Sequence, residues 1–381
     1  MARRVSPNIQ KYIRRSVRGE SLSRFTAMKL LHVVGARPNL PKLAPVHRAA
    51  AAMGLAQVVV HTGQHYDDVL SAGFFRELEI PEPDVNLDVG SGSHAEQTAK
   101  VMERFEPVLL AHRPDWLLVY GDVNSTLAAA LVASKLGVRI AHVEAGLRSY
   151  DRSMPEEINR IVTDRLADLL LTPSEAASAA LLSEGMPAEH IVCVGNVMID
   201  TLLASLPHAQ ATGYAAAHLA DGSHIVVTLH RPSNVDNDER LRAIVAALVD
   251  LAADRPVFFP AHPRTARRIQ ALRLPTGQIR MSVPLPYLPM VDLVHAAHAV
   301  ITDSGGLQEE TSALGIPCLT LRDTTEWTST LIEGTNRLVD DLGALSELVA
   351  TCQRRAPGHR AFGWDGRAGA RIVAALMATG R

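Results

Sequence analysis

Lys29-Leu-Leu-His-Val-Val-Gly-Ala-Arg-Pro38 is the stretch that decides how the chain is read. A short apolar run ends in a Gly/Pro turn, and an Ala-rich helical stretch follows to Met53. The unit then recurs. Gln57-Val-Val-Val60 leads into Thr62-Gly-Gln-His65 and a predicted helix over about 67–78. Asp115-Trp-Leu-Leu-Val-Tyr120 leads into Gly121-Asp122, with Asn124 placed to cap the next helix. Arg139-Ile-Ala-His-Val-Glu144 leads into Ala145-Gly-Leu-Arg148. Short apolar strands alternating with helices predict βαβ units and a parallel sheet, an α/β fold.

The pattern pauses at Gly195-Asn196 and in the polar stretch around 207–223, then restarts with His224-Ile-Val-Val-Thr-Leu229. Pro256-Val-Phe-Phe259, Ala299-Val-Ile-Thr302 and Pro317-Cys-Leu-Thr-Leu321 continue it. The expectation is two Rossmann-like domains, 28–196 and 197–359, with a terminal helix in 360–381 returning to the first. Residues 1–27 carry Lys11 and six arginines against Glu20 alone, a charge of +6 that leaves −8 on the rest of the chain. This leader lacks the apolar segment of a secretory signal, and its composition predicts a solvated arm without fixed structure.

With 381 residues, 47% of them hydrophobic, the chain has the material for two ordinary cores. A net charge of −2 and 4% aromatic residues give no footprint for general nucleic-acid binding. No apolar run reaches the ~18 residues of a membrane span. Cys193, Cys318 and Cys352 are scattered and odd in number, which argues against a disulfide framework and for a reduced, cytoplasmic setting.

In open parallel sheets, ligands bind beyond the carboxyl ends of the strands. There the sequence puts Arg37 with Lys42, Gln64-His65, Asp122 and Glu144 in the first half, and His230-Arg231, His262, Asp303-Ser304 and Arg322 in the second. Ser304-Gly305-Gly306 ends a strand and opens a helix, where bare backbone and the helix N-terminus suit a phosphate. Glu309 or Glu310, one turn on, is placed for sugar hydroxyls. Arg37 and Lys42 can reach a diphosphate. Asp122 and Glu144 follow successive strands about 4.8 Å apart and can share one site with Glu156 or Glu157. His230, at a strand end, suits general acid/base work or a phosphate. GxGxxG and GxxxxGK[ST] are absent, so no nicotinamide site or P-loop is expected. HExxH and dense His/Asp clusters are absent too, so no catalytic metal or cofactor is expected.

Ten stretches carry a resemblance in order: GARPNLPKLAPV (35–46), TGQHYD (62–67), GDVNSTLAAAL (121–131), HVEAGLRS (142–149), MPEEINR (154–160), VGNVMIDTL (194–202), TLHRPSN (228–234), HPRT (262–265), TDSGGLQEE (302–310) and LRDTTE (321–326). Together they resemble the non-hydrolysing UDP-N-acetylglucosamine 2-epimerase family. The resemblance implies a glycosyltransferase-B-like fold, two Rossmann-like domains facing a cleft. It implies interconversion of UDP-GlcNAc and UDP-ManNAc by elimination and re-addition of UDP through 2-acetamidoglucal. By family position Asp122, Glu144 and Glu156 are the acid/base group, with His230 near the diphosphate and sugar. Arg37 and Lys42 assist the phosphates, Ser304, Gly305 and Gly306 hold the diphosphate, and Glu310 holds the ribose. Gln64, His65, Arg148, His262 and Arg322 complete the expected binding set. A homodimer joined through first-domain helices is implied as well.

The chain also departs from the family pattern. Thr325-Glu326-Trp327-Thr328-Ser329 stands where many bacterial members read TERPE, Asp67 where several have Gln, and Lys100 where an Arg is usual. HYD, MPEEINR and TTEW are also similar to relatives acting on UDP-2,3-diacetamido-2,3-dideoxy-glucuronate. A hydrolysing relative, a retaining glycosyltransferase and a catalytically silent nucleotide-sugar sensor are the remaining alternatives.

Overall fold

The computed structural model describes residues 28–36, 39–63, 77–218, 223–332, 334–355 and 363–379. The basic leader, Arg37, Gln64, His65, Asp67 and the helix expected over 67–78 as far as residue 76 lie outside them. The described residues fall into two compact units: those up to Thr201 together with the C-terminal segment from 363, and those from Leu202 to 355.

The first unit is built on a parallel sheet of β1 (Lys29–Val34), β2 (Ala56–His61), β3 (Val85–Asn86), β4 (Trp116–Tyr120), β5 (Arg139–Val143), β6 (Leu169–Thr172) and β7 (Ile191–Cys193). Its order is β3-β2-β1-β4-β5-β6-β7, so the winding reverses between β1 and β4. Leu30 to Val34 and the whole of β4 are buried, because helices cover both faces and each strand must be apolar throughout rather than alternating. On one face Leu31, Val33, Val58, Leu117 and Val119 pack with Phe105 and Leu109 of helix His94–His112 and the alanines of helix Asn124–Leu136. Asn124 does not cap that helix. Val123 occupies the cap, and the Asn124 amide instead donates to Gln97 Oε1 at 2.9 Å, inside the first turn.

The second unit is also a parallel sheet, of β8 (Ile225–Thr228), β9 (Val257–Pro260), β10 (Arg280–Ser282), β11 (Ala299–Thr302), β12 (Cys318–Thr320) and β13 (Asn336–Leu338), ordered β10-β9-β8-β11-β12-β13. Both sheets are doubly wound, with a switch point at the first strand of each.

The chain leaves the first unit along helix Val197–Ala211 and re-enters it by helix Ala368–Thr379, which packs on helix Leu40–Ala52. Polar ties fix this return. Asp200 Oδ2 accepts the Gly369 N–H at 2.8 Å, Trp364 Nε1 donates to Pro173 O at 3.2 Å, and Arg371 Nη1 donates to Val194 O at 3.0 Å. Gly195 is left-handed (φ +87°), and a Cβ there would lie 2.0 Å from Gly363 O. Gly195→Ala therefore should cost about 2 kcal/mol or more by displacing the returning segment. Urea unfolding checks this, and an unchanged midpoint would contradict it.

Candidate active site

Helix Leu40–Ala52 begins just after β1 and sends Lys42 toward the carboxyl end of β5, where its Nζ lies 2.6 Å from Glu144 Oε1. The lysine passes over Gly121, at the end of β4: a Cβ on Gly121 would be 2.7 Å from the ammonium, and its φ of +61° is one glycine adopts freely. Glu144 itself is left-handed (φ +73°), a conformation that costs a non-glycine residue about 1 kcal/mol or more. Its second oxygen, Oε2, is buried and accepts no hydrogen bond among the described residues. An orphaned buried acceptor of this kind costs roughly 1–3 kcal/mol. Two unfavourable features converge on one carboxylate.

Asp122 stands one residue past Gly121. Arg160 grips its Oδ2 with both Nε (2.9 Å) and Nη2 (2.7 Å), which leaves Oδ1 unengaged among the described residues. Asn159 Nδ2 donates to Asp122 O at 2.8 Å. Both partners lie on helix Pro155–Leu166, the MPEEINR stretch, whose arginine and second glutamate share a face at (i, i+3) spacing. Glu157 is buried and consumed there: it accepts from Arg160 Nη1 and from the N–H groups of Ser149 and Tyr150. Glu156 is exposed in the first helical turn, its carboxylate not spent in this way. Asp122 and Glu144 therefore sit at adjacent strand ends, paired with separate cations.

Arg148, expected among the substrate-binding residues, is engaged by acids of its own unit. It is buried, with Nε and Nη2 on Glu184 (2.7 and 2.8 Å) and Nη1 on Asp164 (2.8 Å) and Leu147 O (2.7 Å). A guanidinium so occupied inside the unit has little left for a ligand.

In the second unit Asp303, fully buried at the end of β11, organises the end of β8. It accepts the N–H groups of His230 (3.1 Å) and Arg231 (2.9 Å), Asn234 Nδ2 (3.1 Å), and lies 2.9 Å from His230 Nδ1. Burial alone would raise its carboxyl, but His230 and these donors outweigh burial and hold it below the usual range. His230 is held by Nδ1 while about half of its side chain remains exposed. His262, after β9, accepts the Arg264 N–H through Nδ1 (3.2 Å); burial, then the neighbouring His230, Arg264 and Arg267, lower its pKa.

Helix Gly305–Leu314 opens on Ser304-Gly305-Gly306. A Cβ at Gly305 would press on Glu326 Oε1 at 2.7 Å, whereas one at Gly306 meets nothing within 4 Å. Packing explains the first glycine and leaves the second as an open approach to the helix N-terminus. Arg322 Nη2 bonds Glu326 Oε2 at 2.8 Å, while its Nη1 is buried without a partner among the described residues. Glu310, on the same helix, is buried, meets Tyr287 Oη at a long 3.4 Å, and is pushed up to about 7 by desolvation. Its neighbour Glu309 is buried too. Sequence reasoning placed Asp303 at a strand end without its role as the mount for His230, and passed over Arg160, Asn159 and Glu326. The first two of these were legible in MPEEINR by helical spacing; Glu326 needed the fold.

Two doubly wound α/β units with acids, cations and an open helix N-terminus at their strand ends have the architecture of the glycosyltransferase-B-like, nucleotide-sugar enzymes. A glycosyltransferase from Rickettsia africae is similar in fold alone, at 13% identity and a TM-score of 0.53. The family model described as UDP-N-acetylglucosamine 2-epimerase matches residues 47–377, and the chain belongs to that family. It is 41% identical over 362 residues to the UDP-N-acetylglucosamine 2-epimerase of Methanocaldococcus jannaschii, covering 92% of this chain and 99% of that protein. A crystal structure of the M. jannaschii UDP-GlcNAc 2-epimerase with UDP-GlcNAc and UDP superposes with a TM-score of 0.83 at 40% identity, over 92% of this chain and 100% of that one. A UDP-2,3-diacetamido-2,3-dideoxy-D-glucuronate 2-epimerase of Pseudomonas aeruginosa is 43% identical over 335 residues, 87% of this chain and 93% of that protein.

Glu310 has a folded pKa near 7, above its ordinary 4.5. The stability it permits is therefore full below pH 4.5 and is lost as pH rises through 7, on the order of 3 kcal/mol in the ligand-free protein. Glu310→Gln should remove that part of the decline. Equal slopes of unfolding free energy against pH between 5 and 8 in parent and variant would contradict the assignment.

Proposed function

We propose that this chain epimerises a UDP-sugar at carbon 2, interconverting UDP-GlcNAc and UDP-ManNAc. The observation that carries the reading is Glu144: a left-handed residue at a strand end, bound by Lys42 on one oxygen, with a buried second oxygen that has no partner among the described residues. A fold keeps strain and an unmet acceptor in one place where a substrate supplies the missing partner.

The reaction has two halves. In the first, a carboxylate takes the proton from carbon 2, the carbon 1–oxygen bond breaks, a carbon 1–carbon 2 double bond forms, and UDP departs with the bonding pair. In the second, a proton reaches the opposite face of carbon 2 and a diphosphate oxygen re-forms the bond to carbon 1. Each half needs an acid/base group near carbon 2 and positive charge for the diphosphate. Asp122, Glu144 and Glu156 supply the acid/base groups. Lys42 and Arg37 offset phosphate charge, with His230 beside the diphosphate and sugar. The second unit holds the nucleotide: the Ser304-Gly305-Gly306 helix start and Arg322 take the diphosphate, His262 lines the site, and Glu310 accepts from the ribose hydroxyls, which suits a buried carboxyl in need of donors. Gln64 and His65 belong to the substrate-binding set. No resident cofactor enters this chemistry.

The second reading, favoured by the name of the P. aeruginosa relative, is the same epimerisation on UDP-2,3-diacetamido-2,3-dideoxy-glucuronate. Its carboxylate requires a further cation near the sugar, beyond those that take the diphosphate. Among the described residues no helix is long and apolar enough to cross a membrane; the reading is of a cytoplasmic enzyme working as a homodimer.

Proton NMR of the enzyme with UDP-GlcNAc in deuterated water tests the function. UDP-ManNAc carrying deuterium at carbon 2, without added activator, is the expected product. Free ManNAc would overturn the reading in favour of hydrolysis, and turnover of the diacetamido-uronate alone would favour the second substrate. Light scattering should give the mass of two chains; the mass of one would contradict the homodimer.

A further inference from the structure

Behind the two strand ends that carry Asp122 and Glu144 lies a buried chain of charged and polar groups that the reaction does not use. His142, on β5, is fully buried. Its Nε2 lies 2.8 Å from Gly121 O and its Nδ1 2.7 Å from Asp164 Oδ1. Asp164, itself buried, accepts the Gly146 N–H through Oδ2 at 3.2 Å and the Arg148 guanidinium at 2.8 Å. Arg148 is anchored in turn by Glu184. Burial would push the Asp164 carboxyl up, but His142 and Arg148 overcome that and hold it below the ordinary carboxylate range.

Two features of this chain point beyond packing. The first is where it ends. Gly121 immediately precedes Asp122, and Gly146 lies two residues past Glu144. One imidazole–carboxylate pair therefore grips both backbone turns that present the acids. The second is how its protons are used. A carbonyl oxygen only accepts, so Nε2 of His142 carries a hydrogen committed to Gly121 O. The proton at the other end lies between Nδ1 and Asp164 Oδ1. No site on the ring is left to exchange protons with a ligand. A buried ion network of this kind contributes little net stability compared with apolar side chains of the same volume, so stability alone does not account for it.

We propose that the His142–Asp164 pair, braced by Arg148, is a positioning device that sets the Asp122 and Glu144 carboxylates relative to each other. His142 is a positioning residue that touches no substrate. The proposal rests on the reading of Asp122 and Glu144 as the acid/base groups. Arg160 orients the Asp122 side chain from one side, Lys42 orients Glu144 from the other, and His142 fixes the peptide frame to which both belong. A displacement near 1 Å at such groups is enough to slow a reaction about 100-fold.

Three variants separate the contacts. In His142→Gln the amide nitrogen falls near the position of Nε2 and keeps a donor for Gly121 O. In His142→Asn it falls near Nδ1 and keeps only the Asp164 contact, and His142→Phe keeps neither. For each, kcat, KM, the calorimetric Kd for UDP and the Tm are measured. The proposal expects kcat to fall roughly 10- to 100-fold in His142→Asn, with substantial rescue in His142→Gln, while the UDP Kd stays within about twofold. Equal kcat in Asn, Gln and parent proteins, with only Tm reduced, would overturn it and leave a structural role. Should His142→Phe fail to fold, the Asn and Gln pair still decides. Asp122→Asn, run alongside, keeps the two levels apart. If it retains full turnover, the reading of the acids fails. If it is inactive while His142→Asn is fully active, the positioning proposal fails and the reading of the acids stands.

Discussion

The contact between Lys42 and Glu144 is the constraint on which the first unit's working end depends. It joins the helix after β1 to the end of β5, two strands away in the sheet. The lysine can make that crossing only over a residue without a side chain, so β4 must end in Gly121. Asp122 then follows, one residue beyond the level of Glu144 in the β4–β5 register. The charge pair offsets the left-handed backbone of Glu144 and the burial of its carboxylate, and one oxygen is still left unmet among the described residues. Sequence identity at three strand ends is thereby tied to one short contact between opposite charges in a partly dry environment, where such a contact counts for more than it does in water.

The second unit solves a different problem with the same strand-end geometry. Asp303 is a fully buried anion satisfied by backbone N–H groups, Asn234 and His230. It turns an otherwise loose strand-to-helix turn into a fixed mount for His230. Other groups of this unit remain unsatisfied among the described residues: the open approach at Gly306, the unpartnered Nη1 of Arg322 and the poorly partnered Glu310. A diphosphate and a ribose are complementary to that set in charge and in hydrogen-bonding sense. The first unit is therefore rich in paired acids, and the second in unmet positive and hydrogen-bonding capacity.

Much of this was legible in the sequence because parallel sheets buried on both faces write continuous apolar runs, and their ligand residues come next in the chain. β1, β2, β4 and β5 were read directly, as were β8, β9, β11 and β12. The short edge strands β3, β7, β10 and β13 were not, since two or three residues at a sheet edge carry no period. β6 was lost in the leucine-rich run that joins it to the preceding helix. That Asp122 and Glu144 stand at adjacent strand ends was legible from their position after β4 and β5. Arg148 also follows a strand end, but its direction is set by Asp164 and Glu184, one 16 and the other 36 residues further along the chain. Asn124 looked like a cap, yet the helix takes Val123 as its cap and the asparagine turns toward Gln97. Such directions are decided by tertiary partners that no local pattern encodes.

The central claim is a division of labour, with proton transfer at the strand ends of the first unit and nucleotide binding in the second. Calorimetric titration of UDP into Glu144→Gln enzyme, beside a turnover assay of the same preparation, tests it most directly. The account predicts turnover reduced by a factor on the order of 100 or more with UDP affinity essentially that of the parent. Loss of UDP binding together with turnover, or full turnover in the variant, would contradict it.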